Sequence, residues 1–195
     1  MADKVIILLR HGQSVKNVEG INTSALEGYP LTETGRQQAL RAAKALSTLP
    51  RIDNLYSSPV LRARETAEIV GMGLSLRPEM DGRLRERHWG TLEGKSTSIK
   101  EEVWKFDPKY KIEPWELVRS KMAAFIEAAH GAVTVAVTHG DNISSACSIF
   151  DGKSEYEHLC RLTGYARFAI IDFANKKVME DDAEEVPRWL IKRLG

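Results

Sequence analysis

The stretch Val5-Ile6-Ile7-Leu8-Leu9-Arg10-His11-Gly12 decides how this chain is read. Five consecutive Val, Ile and Leu residues form an apolar run of strand length, and such a run predicts a strand buried on both faces. In open α/β sheets the carboxyl end of a strand is where ligands bind. This strand ends on a guanidinium, an imidazole and a glycine, and glycine lets the backbone turn sharply or a ligand come close. The opening residues therefore mark a candidate site as well as a strand, with His11 as nucleophile or ligand beside Arg10.

Outward from that run, strand and helix patterns alternate. Further strands are predicted at 54–56, 133–138 and 166–173, with a shorter one at 74–77 and an edge strand at 177–180. A helix is predicted over 34–47, where Thr34 and Gln37 have capping-box spacing and Ala39, Leu40, Ala43 and Leu46 make an apolar stripe. A second begins with Ser58 as N-cap and Pro59 in the first helical position, and ends at Gly71. A third, 114–129, would bury Leu117, Val118, Met122, Phe125 and Ile126. Alternation of this kind predicts an α/β sandwich with a mostly parallel central sheet. We read 1–195 as a single domain in which 91–113, the least regular part, is either a lid or a solvated connection. The amphipathic stretch 186–194 is expected to pack on the core; covering the site and forming a dimer contact are its alternatives.

Composition narrows the class. The 195 residues carry a formal net charge of +1, with 43% apolar and 28% charged residues, as in ordinary globular proteins. That balance gives no electrostatic footprint for nucleic acid. No run approaches the ~20 apolar residues of a membrane span. The apolar run at 5–9 is too short for a signal peptide, so a cytoplasmic location is expected. Cys147 and Cys160 make neither a CxxC pair nor a disulfide framework, and we read them as reduced packing residues.

Four segments carry the chemistry: Leu9-Arg10-His11-Gly12-Gln13-Ser14 with Asn17; Ser57-Ser58-Pro59-Val60-Leu61-Arg62-Ala63-Arg64-Glu65-Thr66-Ala67; Leu84-Arg85-Glu86-Arg87-His88-Trp89-Gly90; and Val135-Ala136-Val137-Thr138-His139-Gly140. The first and last share one design, an apolar strand followed by His-Gly. Side by side in a parallel sheet they would bring both imidazoles to one edge. Arg62, in the first turn of a helix that follows a strand, points to the same edge, and the helix terminus adds partial positive charge. Two guanidiniums, two imidazoles and a helix terminus make an anion site, for which the planar fork of Arg is well suited. Taken singly, these residues also have plainer readings. Arg62 fits a surface ion pair, Glu86 a solvated acid and His139 a satisfied core histidine. Arg64, with Glu68 four residues on, is read as an ordinary helical pair.

Together, RHG, SSPxxRAxxTA, LxExxxG and THG resemble the histidine phosphatase superfamily, the phosphoglycerate-mutase-like family, over 5–143. The resemblance implies a three-layer α/β/α sandwich and a phosphohistidine formed on His11. It implies that Arg10, Arg62 and His139 hold the phosphoryl oxygens and that Asn17 adds a hydrogen bond. Glu86 matches the general acid, a role that calls for a raised pKa, with nearby phosphate charge as a source of the shift. Thr23, Ser24, Arg87, Trp89 and Gly140 fall where relatives contact substrate. No metal is implied, and the partner is a small phosphorylated metabolite rather than nucleic acid or membrane, with a homodimer left open. An inactive relative that only binds phosphorylated partners is a less favoured reading, since His11 and Glu86 are both present, and two catalytic outcomes share this cage. A phosphatase gives the phosphoryl group to water. A mutase returns it to another hydroxyl and uses 2,3-bisphosphoglycerate as phosphoryl donor. Trp89, Thr23 and Ser24 look mutase-like. Thr97 stands where mutases carry a Lys, no two arginines are adjacent, and the chain is shorter than a typical mutase, so a phosphatase is expected.

Overall fold

Alternate residues of β1 (Val5–Arg10) pack into opposite layers of the molecule: Val5, Ile7 and Leu9 join one buried apolar cluster, Ile6 and Leu8 the other. The structure, a computed structural model, describes residues 4–96, 108–155, 157–158, 164–174, 177–181 and 185–195. The five apolar residues of β1 are at most 1% exposed. Burial of each such side chain contributes about 1.5–3 kcal/mol, which is what holds this strand inside the sheet.

The other elements are α1 (Val15–Glu19), α2 (Glu33–Leu46), β2 (Asn54–Ser57), α3 (Leu61–Leu74), β3 (Glu79–Met80), α4 (Trp115–Ala128), β4 (Val133–Thr138), α5 (Gly140–Asp151), β5 (Phe168–Asp172), β6 (Lys177–Asp181) and α6 (Arg188–Leu194). The strands form one six-stranded sheet in the order β3-β2-β4-β1-β5-β6. The first four run parallel, and β5 and β6 are antiparallel to their neighbours. On one face, α2, α3 and α6 contribute Ala42, Ala43, Leu46, Ala63, Ala67, Val70 and Leu190. On the other, α4 and α5 contribute Met122, Phe125, Ile126, Ile143, Ala146 and Cys147. This is the three-layer α/β/α sandwich with a mostly parallel sheet, and the C-terminal helix packs on its core. No helix of the described residues is long and apolar enough to cross a membrane.

Several boundaries differ from the sequence reading, each for a local reason. Thr32, not Thr34, caps α2, because its Oγ1 accepts the Gly35 N–H. The helix after β2 starts at Leu61 with Val60 as N-cap, and Ser58 Oγ accepts the Val60 N–H while also meeting His139 Nε2. That helix passes Gly71 and closes at Ser75, whose φ of 56° is left-handed. It thereby takes in Leu74 of the strand expected at 74–77, and the edge strand β3 falls at Glu79–Met80 instead. Leu117 of α4 is 55% exposed. Arg64 reaches across to Glu27 rather than to Glu68. Of the stretch 91–113, residues 97–107 lie outside the described residues, as does Cys160; Cys147 is a buried free thiol.

Candidate active site

Register brings the two histidines together. β1 and β4 pair in parallel with Arg10 opposite Thr138, and the His11 N–H donates to Thr138 O at 3.0 Å. The next residue of each strand is therefore a histidine at the carboxyl edge of the sheet. Their ring centroids lie 5.2 Å apart. Both side chains are buried. His11 Nδ1 is 2.7 Å from Gly12 O. A carbonyl only accepts, so Nδ1 carries the proton and the Nε2 lone pair is free. Burial first, then Arg62, His139 and Arg10, push the His11 pKa well below its usual value, so the ring is neutral. Burial likewise pulls His139 down to about 4.

Helix α3 supplies the main cation. Arg62, its second residue, is 1% exposed, and Nη2 donates to Thr23 O at 3.1 Å and to Glu86 Oε2 at 3.3 Å. Its Nε is buried and has no hydrogen-bond partner among the described residues. A buried unpaired donor on a guanidinium is costly unless a ligand completes it. Arg10, at the tip of β1, donates to Gly164 O at 3.2 Å and lies over the Tyr165 ring, 4.6 Å from its centroid. The α5 N-terminus opens at His139 and Gly140 with no side-chain cap, adding backbone N–H dipoles beside the rings.

Glu86 enters from the loop after β3. Thr138 Oγ1 donates to Leu84 O and Asn142 Nδ2 to Arg85 O, pinning the two residues before it to β4 and α5. Its carboxyl is buried, with His139 Nδ1 3.2 Å from Oε2. Burial works to raise its pKa, but His139, Lys16 and Arg62 outweigh that and hold it well below the usual carboxylate range. The raised pKa expected for a general acid is thus not what these neighbours produce.

Other expected residues are placed as follows. Asn17 Oδ1 accepts from Ser14 N and Oγ, leaving the Nδ2 donors for a ligand. The hydroxyls of Thr23 and Ser24 are bonded to Glu93, so it is the Thr23 carbonyl that meets Arg62. Arg87 is buried, 4.0 Å above the Trp115 ring, and pairs with Asp141 at 3.6 Å. Trp89 packs with Leu92 in a small separate apolar cluster. Sequence reading missed Lys16, whose Nζ is 3.4 Å from Glu86 Oε2, and Asp141, a buried carboxyl whose pKa burial pushes up to about 6. A helix as short as α1 has no periodicity that could reveal an inward lysine. His11, Glu86 and His139 offer three ligand atoms within 4.8 Å of one another. With Arg10, Arg62 and Lys16 around them, Coulomb energy favours an oxyanion over a divalent cation there.

Comparison with known proteins agrees with this geometry. The sequence pattern of the histidine phosphatase superfamily (branch 1) matches residues 6–181. A 2,3-bisphosphoglycerate-dependent phosphoglycerate mutase of Thermoplasma acidophilum is 32% identical over 176 residues, 87% of each chain. A probable phosphoglycerate mutase of Citrobacter koseri is 29% identical over 206 aligned positions, 97% of this chain and 92% of its own. Among solved structures, a mycobacterial glucosyl-3-phosphoglycerate phosphatase in complex with VO3 shares the fold, with a TM-score of 0.74 at 23% identity, covering 94% of this chain and all of that one (100%). Motifs, sheet topology and the paired histidines at its carboxyl edge meet in one conclusion: this chain belongs to the histidine phosphatase superfamily.

Proposed function

We propose that this protein is a phosphomonoester hydrolase that works through a phosphohistidine on His11 and needs no metal ion. The observation that carries this is the His11 ring: Nδ1–H is donated to Gly12 O, and the free Nε2 belongs to a neutral imidazole beside Arg62 and His139. Neutral imidazole is a competent nucleophile. Nε2 attacks phosphorus, the P–O ester bond breaks, and Glu86 gives a proton to the leaving alkoxide. Water then attacks the phosphohistidine, Glu86 takes back a proton, and inorganic phosphate leaves with Nε2 restored. Phosphoryl transfer asks chiefly for positioning and charge stabilisation, which Arg10, Arg62 and the α5 N-terminus provide. A phosphate dianion arriving beside Glu86 and drawing on Arg62 raises the carboxyl pKa, so the substrate itself prepares the acid.

Charge supports water as the acceptor. Four cations, Arg10, Lys16, Arg62 and Arg87, stand around the pocket; Glu86 pairs with both Lys16 and Arg62, and Asp141 with Arg87. Arg62, whose Nε has no hydrogen-bond partner among the described residues, is the guanidinium suited to meet the phosphate. A mutase must also hold the second anionic end of its bisphosphate, and Lys16 and Arg87 are already paired.

The Thermoplasma mutase keeps a second reading in view. Matched over 87% of its own length, it is a chain of about this size, so shortness does not argue against a mutase. The discriminating experiment incubates the protein with 3-phosphoglycerate, with and without 2,3-bisphosphoglycerate. Free phosphate release, with His11→Ala inactive and forming no phosphoenzyme, is expected. Cofactor-stimulated formation of 2-phosphoglycerate faster than hydrolysis establishes the mutase instead.

A further inference from the structure

Two cations reach for the same pair of acceptors. Lys16 Nζ and Arg62 Nη2 both donate to Thr23 O, at 3.2 and 3.1 Å, and both to Glu86 Oε2, at 3.4 and 3.3 Å. The Lys16 side chain is 8% exposed. Keeping an ammonium beside a guanidinium out of water is unfavourable unless something answers the charge. Glu86 is what answers it. With His139 Nδ1 at 3.2 Å, three groups crowd Oε2, and among the described residues no hydrogen bond reaches Oε1. Thr23 O acts as the clamp that holds both cations at the carboxylate.

We propose that Lys16 is a positioning residue for Glu86: its ammonium grips Oε2 beside Arg62 and leaves Oε1 as the oxygen that delivers and recovers the proton. This role rests on Glu86 being the proton donor of the reaction proposed above. The groups facing the carboxyl are Lys16 from α1, Arg62 from α3, His139 and Asp141 from the start of α5, His11 from the end of β1, and Arg87 from its own loop. Of the lysine and arginines among them, Lys16, whose pKa burial lowers while Glu86 works to raise it, and Arg62 touch the carboxylate, and Arg62 is also required by the phosphate. Among the described residues, Lys16 donates to one side chain, that of Glu86. Its flexible stem also allows it to follow Oε2 when a phosphate draws Arg62 away.

A cation within ~4–6 Å favours a carboxylate by about 1–3 pH units. Lys16→Met therefore moves the Glu86 midpoint upward by about 1–3 units, and Lys16→Arg returns it toward wild type. The direct measurement is a 13C NMR titration of the Glu-labelled full chain, with the Glu86 signal assigned by its loss in Glu86→Gln. A kinetic measurement runs beside it. For an alkyl phosphate, whose leaving group needs a proton, the alkaline limb of kcat/KM shifts up by the same amount in Lys16→Met. For p-nitrophenyl phosphate, whose leaving group needs none, the profile stays in place. Lys16→Gln serves in the same way should the methionine variant not fold. An unmoved Glu86 midpoint in a folded variant, with phosphoenzyme still forming on His11, overturns the role of Lys16 alone. Absence of any phosphoenzyme in the wild-type protein overturns the reaction, and this role with it.

Discussion

His139 shows what burial does to a single residue of this site. Its ring is fully enclosed, Nε2 is 2.9 Å from Ser58 Oγ, and burial lowers its pKa from 6.5 to about 4. An unfolded chain protonates the ring near pH 6.5, whereas the folded one resists until about pH 4. Between those values the unfolded state binds more protons, so stability is present above pH 6.5 and is lost as pH falls toward 4. His11 is shifted in the same direction and adds to the effect. For His139 alone the loss amounts to about 3 kcal/mol. His139→Gln should lose correspondingly less stability than wild type between pH 7.5 and pH 4 in urea titrations; equal losses would show that the ring is not held neutral. The motifs made His139 legible as a residue of the site. The lowered Glu86 pKa was not legible, because it arises from His139, Lys16 and Arg62 gathered at one carboxylate, and Lys16 is a side chain with no motif, brought to 3.4 Å only in the folded chain.

Where β1 ends, two backbones meet so closely that side chains are excluded from both. A Cβ on Gly35, in the first turn of α2, would lie 1.9 Å from Gln13 O, and one on Gly12 would lie 2.4 Å from Gly35 O. Helix α2 thus buttresses the loop that carries His11, aided by Thr32, which caps the helix and also donates to Gln13 Oε1. Gly35→Ala forces these backbones apart. A cost of about 1–3 kcal/mol in stability is expected, together with a fall in kcat as His11 leaves its alignment. A urea midpoint and a kcat both unchanged would mean the loop is not pinned from this side. The same junction explains what the sequence revealed at this scale. The runs that became β1 and β4 were plain because both faces of each are buried, so composition alone marks them. Helix starts were obscured where two candidates compete for one role, as with Thr32 and Thr34, or where a capping side chain serves the site, as with Ser58. The two-residue strand β3 is shorter than any hydrophobic period, and its residues are exposed.

Across the molecule, the site is a seam between elements distant in sequence: β1, α1, α3, the loop around Glu86, and the β4–α5 junction. Each brings a charge or a ring, and Lys16, Arg62 and His139 converge on the carboxylate of Glu86. An oxyanion that bridges Arg62 and the α5 N-terminus therefore ties together both helical layers and the sheet between them. A ligand bound only by the folded state stabilises it by about 2.7 kcal/mol at 100 times its dissociation constant. For a chain of this size that raises Tm by about 5–10 °C, and we expect orthovanadate, which mimics the phosphoryl transition state, to do so. Arg62→Lys keeps the charge but loses the planar fork, so the vanadate shift should shrink at equal concentration. Glu86→Gln removes a competing anion and leaves Lys16 and Arg62 unopposed, so vanadate should bind about tenfold more tightly, a gain of roughly 1.4 kcal/mol. Weaker vanadate binding by Glu86→Gln would mean that the carboxyl donates to the bound anion more than it repels it, and would place the protonated form of Glu86 in the resting complex.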